Sequence, residues 1–588
     1  MNEKIFSQLM EAARGLALTS PQSLSLVLQL LCWRRLSEGQ ANLAEQLLFE
    51  TVSKRTLAEQ HEALRQVQEH IGVTFIDESV WQSLRGSRDI APLMQKINEL
   101  AAQGFLDNLN LDDAAFWSAD RHDGIPARAS SLNDVLIALA GVDATQQVYV
   151  PWESSGQLAA RIARSGAQAW VEAQQPLLTA QLLILSGGSK WTLKASEPIA
   201  HPSALEGGKL LRFDTAVCHP PMGLRYPHEV VERDLLGRFV EKTPVGSVLQ
   251  IRHLLAQTRG RIVMAVANSV LFASGSERQL RERLVEEGKL EAVIALPAGL
   301  CSHTGIALSI LVLNAQGGAE RVRFVNATAE PFIEHVARKR IELKSIDALL
   351  ATVAGRDDTE QAVSATRQAI AASDYSLEVS RYVLDEAARE LVQQQQRYPM
   401  HRLGEFFEVI RPRQHATAAS GATVHEVQAQ DIPAYGYLRS ASKEAQFDLG
   451  SAKASIYFIR PDDVLLTFKG TIGKVGIARE VPDSEEGGWI AGQSLAILRS
   501  TRPELYPPKA LLTYLRSNVG QALLRHVAVG ATIPSIQLSA LKDLKIPVPN
   551  LEEMHRMVQA FEHEAQIEEQ IQQLRTSQSA IAASLWTA

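Results

Sequence analysis

The stretch FDTAVCHPPMG, Phe213 to Gly223, decides how this chain folds. An apolar run ends and two prolines follow at once. Proline has a fixed φ and no backbone N–H, so a strand cannot continue through it. The turn therefore holds His219, the residue before the prolines, at a strand's carboxyl end, where open α/β sheets bind their ligands. Similar runs recur on either side: QQVYVPW, AQAWVEA and LLILSG before it, RIVMAVA, LEAVIAL and LSILVLN after it. They alternate with helical segments, and connections such as Val230 to Thr258 have room for crossover helices. Residues 119–330 are thus predicted to form a Rossmann-like α/β domain with a mostly parallel sheet.

The flanks read differently. Residues 1–118 read as a helical N-terminal domain. SPQSLSLVLQLLCWRRLSE has a start signal at Ser20 and Pro21, and Asn42 to Ile71 and Ala91 to Leu106 follow as helices. The Asp/Asn-rich Asp107 to Asp123 reads as a connection. Residues 331–399, charged and Ala/Gln-rich, read as a helical bridge. Over 400–550 short β-like runs with turn signals give an α+β pattern. Residues 551–588 are polar and uninterrupted by Gly or Pro, and read as one long helix, exposed or paired. The fold class is multidomain α/β.

At 588 residues the chain has room for roughly three to five domains. A hydrophobic fraction of 46% with 21% charged residues marks a folded protein. The net charge of -7 argues against wholesale neutralisation of a polyanion, yet a basic groove can sit on an acidic body. Cys32, Cys218 and Cys301 lie too far apart for a CxxC zinc site or a disulfide framework, so no metal is expected. The amino terminus lacks a signal-peptide run. The most apolar stretches, such as Ser23 to Cys32, fall short of the ~20 residues of a membrane span. A cytoplasmic protein is expected.

The Pro-Pro stretch resembles the FDxxxxNPPF signature of the N6-adenine DNA methyltransferases of type I restriction–modification systems. In that family the Asn and the first proline carbonyl hold the amino group of a flipped-out adenine, and the aromatic stacks on it. The order of motifs extends the resemblance over roughly 125–330. VYVPWESSGQLAARIA (Val148 to Ala163) stands where the family carries its cofactor loop, typically DPACGSGG, and AWVEAQQP follows one strand later. The resemblance implies an S-adenosylmethionine site at Val150, Pro151, Ser155, Gly156 and Glu172, the last accepting from ribose hydroxyls. It implies a base pocket at His219, Pro220, Pro221 and Met222. The departures count against transfer. His219 replaces the Asn, and an imidazole cannot copy a carboxamide oxygen. Met222 replaces the aromatic and Val150 the Asp. Ser154 and Gln157 replace glycines in a loop a ligand must approach closely.

Residues 400–588 resemble one target-recognition domain, with its following helix, of a type I specificity subunit. The resemblance rests on HRLGEFFEVIRPRQ, RPDDVLLTFKGTIGKVGIARE, GGWIAGQSLAILRS and the closing HVAVGATIPSIQLSALKDLKIPVPNLEEMHRMV. It implies loops that enter the major groove of double-stranded DNA, with cations on phosphates and polar side chains on base edges. Arg411, Arg413, Lys469, Lys474 and Arg525 are the candidate phosphate contacts and Gln493 a candidate base reader; a solvated surface is the alternative for each. GTIGKVG (470–476) lacks the earlier Gly and the Ser or Thr after Lys that a phosphate-binding loop needs. One recognition domain reads half of a bipartite site. The long helix therefore implies a homodimer or a second recognition subunit.

The expected function is a sequence-specific DNA-binding protein of a restriction–modification or phage-defence system. Nuclease or ATPase partners would supply any cleavage, because no such motif is present. An active adenine-N6 methyltransferase is the first alternative, resting on Glu172, Pro220, Pro221 and the retained motif order. A protein-only scaffold is the second.

Overall fold

The run ending at the Pro-Pro turn becomes the fourth strand of a nine-stranded sheet. The strands are β1 (Gln147–Pro151), β2 (Gln168–Ala173), β3 (Trp191–Ala195), β4 (Thr215–Cys218), β5 (Arg261–Ala267), β6 (Leu290–Ala295), β7 (Leu308–Asn314), β8 (Arg321–Asn326) and β9 (Ala362–Thr366). Their order is β9-β8-β6-β7-β5-β4-β1-β2-β3. Pairings from β3 through to β5 are parallel, as is β6 with β8. β7 runs antiparallel to both β5 and β6, and β9 to β8. All four residues of β4 are buried, as a strand covered on both faces requires. A computed structural model gives this architecture; it describes residues 2–85, 89–106, 128–187, 190–301, 305–337, 340–384, 397–412, 422–447, 454–483, 487–528 and 535–584. The chain divides into two compact units, Met1–Val383 and Leu384–Ala588.

Helix α1 (Ser20–Arg35) is buried at every residue from Ser23 to Trp33, which is why its apolar pattern runs round the whole helix. Inside it Gln29 accepts from Trp81 Nε1 at 2.9 Å, so its amide is buried with a partner. α2 (Gln157–Arg164) and α3 (Leu177–Ser186) follow β1 and β2. Cys32 Sγ of α1 donates to the Gln181 carbonyl of α3 at 3.0 Å. Leu182 and Ile184 share a core with the N-terminal helices, so these helices pack onto the sheet layer.

Three expectations change. LLILSG was expected as a strand but is the end of α3, closed by Gly187 at φ 70°. A run buried on all sides carries no periodicity to separate helix from strand. The helix expected over Asn42 to Ile71 is broken. A new helix starts at Leu57, where Thr56 N–H donates to Glu59 Oε2 at 2.9 Å in a capping box. Residues 331–383 are not a helical bridge. They carry a hairpin (Ile333–Ala337 with Arg340–Leu343), a helix (Ile346–Ala354) and the edge strand β9. Their Ala content reflects packing against the sheet; Ala362 and Ala365 are core residues. The expected connection at 107–123, the boundary at 118 and most of EAARELVQQQQRYP lie outside the described residues.

The second unit holds β10 (Phe407–Ile410), β11 (Ala422–Val427), β12 (Lys443–Phe447), β13 (Val464–Thr467), β14 (Val475–Ile477), β15 (Trp489–Ala491) and β16 (Leu495–Ser500). They form a four-stranded sheet β10-β16-β13-β14 and a three-stranded sheet β12-β11-β15. α4 (Pro508–Arg516) packs against the first half of α5, the 34-residue helix Leu551–Ser584. Met554 and Phe561 are buried there, Lys509 pairs with Glu562, and Arg516 Nη1 reaches Glu564 Oε1 at 2.9 Å. The second half of α5 is exposed from Glu569 to Ile581.

Phe561, 2% exposed and edge-on to Tyr437 at 4.9 Å, anchors this helix. Phe561→Ala is expected to destabilise the second unit by about 3–5 kcal/mol in urea unfolding. Gln573→Ala, at an exposed polar position of the same helix, should stay within about 0.5 kcal/mol.

Candidate functional site

The carboxyl ends of β1, β2 and β4 bring the predicted site residues of the first unit together. Parallel pairing sets Pro151 beside Glu172 and Val150 beside Val171, while Cys218 pairs with Met264, so His219 stands one step beyond the end of a central strand. The residues are brought together, but their polar groups are turned toward the protein.

Glu172 is fully buried. Its Oε1 accepts from the Ser203 N–H at 2.7 Å, the Ala204 N–H at 3.0 Å and the Ser203 hydroxyl. Its Oε2 accepts from the Tyr149 hydroxyl at 2.7 Å. Tyr149 Oη also lies 2.8 Å from His253 Nε2, and His253 Nδ1 lies 2.9 Å from Arg238 Nη1. A guanidinium only donates, so Nδ1 accepts and the proton sits on Nε2. His253 then donates to Tyr149, and Tyr149 to Glu172, with every donor ordered in one direction. Burial, then the Arg238 charge, holds the His253 pKa well below the ordinary histidine value, so the ring is neutral. Arg238 is in turn paired with Asp234 at 2.9 Å.

The loop after β1 is closed in the same way. Glu153, 1% exposed, turns its carboxylate inward. Oε1 accepts from the Gly156 N–H at 2.6 Å and the Ser155 hydroxyl at 2.7 Å, and Oε2 meets Arg128 Nη1 at 3.3 Å. An anion of the chain itself thus fills the N-terminus of α2, a position that favours negative charge. Gly156 keeps its place for packing. It sits at φ 79°, and a Cβ there would stand 2.8 Å from Thr179 Cα of α3. Outside the loop, Trp152 Nε1 and the Tyr226 hydroxyl both donate to Glu197 Oε1, at 3.4 and 2.7 Å.

At the Pro-Pro turn, His219 Nε2 is buried with no hydrogen-bond partner among the described residues, while the residue keeps a partly exposed edge. Burial and the nearby Arg128 charge hold its pKa down to about 3, so it too is neutral. Pro220, Pro221 and Met222 line a cavity of about 230 Å³ with Gln250 and Glu277. Gln250 Nε2 donates to the Pro221 carbonyl at 2.9 Å and fixes the turn. Sequence reasoning missed Arg128, Tyr149, Glu153, Arg238 and His253. Only Glu153 carried a signal, a carboxylate within a loop expected to be glycine-rich.

In the second unit the candidate contacts converge on one end of the four-stranded sheet. Lys469 and Lys474 flank the β13–β14 turn and are exposed, Lys474 Nζ donating to the Ala429 carbonyl at 3.2 Å. Gly470 and Gly473 take positive φ there, and a strand follows, which excludes a phosphate-binding loop. The Phe468 N–H donates to the Ser494 carbonyl at 2.9 Å, which places exposed Gln493 beside this turn. Gln521 Nε2 donates to the Gly473 carbonyl at 2.8 Å, which brings in the helix of exposed Arg525. Arg411 follows Ile410, whose partner is Ile497, at the same sheet end. Arg413 lies outside the described residues. Among the described residues no group of His, Cys, Asp and Glu could hold a metal ion, and no helix is long and apolar enough to cross a membrane.

The first unit therefore has a methyltransferase fold. The chain superimposes on the methyltransferase subunit of a type I restriction–modification system from Streptococcus thermophilus with a TM-score of 0.54, at 15% identity, over 65% of this chain and 99% of that one. Residues 192–391 match the N-6 DNA methylase family and residues 398–574 match the type I restriction modification DNA specificity domain. The chain joins an N-6 DNA methylase domain to a type I specificity domain. Similar proteins include the methylase subunit of the type I restriction enzyme MpnII of Mycoplasma pneumoniae, 30% identical over 150 residues, 25% of this chain and 27% of the relative. The specificity subunit of the type I restriction enzyme EcoBI of Escherichia coli is 29% identical over 140 residues, 23% of this chain and 27% of the relative. Each match spans about a quarter of the relative's length.

The methylase family implies S-adenosylmethionine, and the residues present do not fit it. Glu172 has both oxygens bonded within the protein, and the Gly156 N–H is taken by Glu153. A ligand here would have to displace bonds that the chain already makes.

Neutral, buried His253 gives a pH test. The unfolded imidazole takes a proton below about pH 6.5 and the folded one does not, so folding stability is present above that pH and falls as pH drops. His253 alone should contribute a slope of about 1.4 kcal/mol per pH unit below pH 6.5. His253→Gln should flatten the pH dependence of thermal unfolding of the first unit; an unchanged slope would contradict the assignment.

Proposed function

We propose that this chain is a sequence-specific DNA-binding component of a restriction–modification or phage-defence system, descended from an adenine-N6 methyltransferase whose transfer site no longer works. One observation carries the loss of transfer: Glu172, the residue that would accept from the cofactor's ribose, is buried and bonded at both oxygens. The degenerate base-pocket motif, with His219 for Asn and Met222 for an aromatic, points the same way.

DNA binding is supported by the family match of residues 398–574 and by the convergence of Arg411, Lys469, Lys474, Gln493 and Arg525 at one sheet end. The cations supply sequence-independent phosphate contacts, and Gln493 can address base edges in the major groove. The net charge of -7 fits a local basic surface on an acidic body. The exposed half of α5 presents Ile567, Ile571, Leu574 and Ile581 at the spacing of a coiled-coil seam. A second copy, or a second recognition subunit, would cover this seam and supply the other half of a bipartite site. Cleavage would come from a separate nuclease or ATPase partner.

Selection from a random duplex pool tests this reading. One enriched sequence is expected, with binding that weakens steeply as salt rises. No transfer of tritium from labelled S-adenosylmethionine to the selected duplex is expected. An unenriched pool would sink the DNA reading, and a labelled adenine would sink the loss of transfer. Ile571→Lys with Leu574→Lys is expected to convert a dimer to a monomer in analytical ultracentrifugation; an unaltered mass would count against the seam.

A further inference from the structure

Beside the Pro-Pro turn, the segment 224–243 carries an apolar side chain that the fold holds out into solvent. Leu235 is 99% exposed. It stands in the turn Asp234–Gly237, closed by the Gly237 N–H on the Asp234 carbonyl at 3.2 Å, with Gly237 at φ 66°. The turn is fixed from beneath. The Arg238–Asp234 ion pair, with both side chains under 5% exposed, spans it, and Arg238 donates to the carbonyls of Pro198 and Ile199 at 3.2 and 2.8 Å. Phe239 is buried beside Ile199 and Leu249. A rigid base with a fully solvated leucine at its tip is unlike a loop whose apolar residue can fold inward.

The surroundings suit a nucleic acid better than a protein. Leu224 and Arg225 form part of the rim of the 230 Å³ cavity at the Pro-Pro turn. Exposed Val240 lies three residues before Thr243, whose hydroxyl meets that of Ser276 at 3.1 Å, and exposed Phe272 lies four residues before Ser276. Along the chain, the exposed cations Arg225, Arg233 and Lys242 each lie within two residues of an exposed apolar side chain, Leu224, Leu235 and Val240 respectively. Separated apolar points interleaved with cations do not make the contiguous face on which a protein docks. They match an apolar wedge between base steps with cations on the adjacent phosphates. Two carboxylates, Glu229 and Glu232, are exposed in the same segment against these three cations, and the whole of 224–243 balances four Arg/Lys with four Asp/Glu. Its phosphate affinity is therefore modest, and the leucine carries the contact.

We infer that Leu235 is a wedge that enters the base stack of duplex DNA and unstacks one step, a function of the first unit that survives without methyl transfer. This rests on the DNA-binding reading above. Insertion forms no covalent bond and needs no cofactor. Its benefit is a bent duplex that meets more of the protein.

The test uses the full chain and the duplex from the pool selection, with 2-aminopurine placed at successive positions. Binding of the wild type is expected to raise fluorescence at one position. Leu235→Ala should abolish that rise and weaken affinity roughly tenfold, the loss expected from one leucine no longer buried. Leu235→Phe should restore both. Leu235→Ala should unfold at the wild-type temperature, because a side chain in solvent adds no core contacts. Absence of any fluorescence change with the wild type bound, or an equal change with Leu235→Ala, overturns the wedge while leaving the DNA reading intact. An assembly defect of Leu235→Ala in ultracentrifugation, with unchanged fluorescence, would assign the leucine to a protein contact instead. Failure of the wild type to select any sequence would remove the DNA reading and the wedge together.

Discussion

Two carboxylates govern the first unit. Glu172 at the end of β2 and Glu153 after β1 stand where a sheet of this topology opens its crevice, and both are bonded inward. Burying an unpaired carboxylate is costly, so each must find partners within the chain or leave a free site for a ligand. Here the partners are found: Tyr149, Ser203 and Ala204 for one, Arg128, Ser155 and Gly156 for the other. The neutral His253, the Arg238–Asp234 pair and the Trp152–Glu197–Tyr226 contacts follow from this as an outer layer. Both carboxylates thereby belong to the hydrogen-bonded interior of the unit.

Seen this way, the departures in the cofactor loop have a common sense. On the proposed loss of transfer, losing glycines would cost nothing, and Glu153 would be useful because the end of α2 attracts an anion. Gly156 persists for another reason, its tight packing against Thr179. The cavity at Pro220 and Pro221 keeps its shape because the prolines and Gln250 hold the turn whether or not a base is bound. The first unit keeps two bonded carboxylates at the end of its sheet, and the second gathers cations and a glutamine at one sheet end.

The strands around the Pro-Pro turn were legible because apolar runs bounded by turns have few alternatives, and the Pro220-Pro221 corner fixed where β4 stops. The α3 segment was misread because a helix buried on all sides has no polar face to mark its period. Strands β3, β8 and β9 were missed: Trp191–Ala195 and Ala362–Thr366 are short, partly exposed edge strands without a strong apolar run, and Arg321 and Arg323 interrupt the apolar run of Arg321–Asn326. Of the site, Glu172 could be placed from its motif, but its saturation depends on Ser203, Ala204 and Tyr149, which meet it only through the fold. His253, eighty-one residues from Glu172 in the chain and on a helix whose spacing betrays nothing, gave no sign of its role.

If the chain's own groups occupy the place of the methyl donor, S-adenosylmethionine has nowhere to bind in the first unit. Isothermal titration of the intact protein with S-adenosylmethionine, carried to millimolar concentration at neutral pH, addresses it directly. The account predicts no saturable heat. A stoichiometric isotherm, one cofactor per chain, would show that Glu172 and the Gly156 N–H release their partners, and would contradict it.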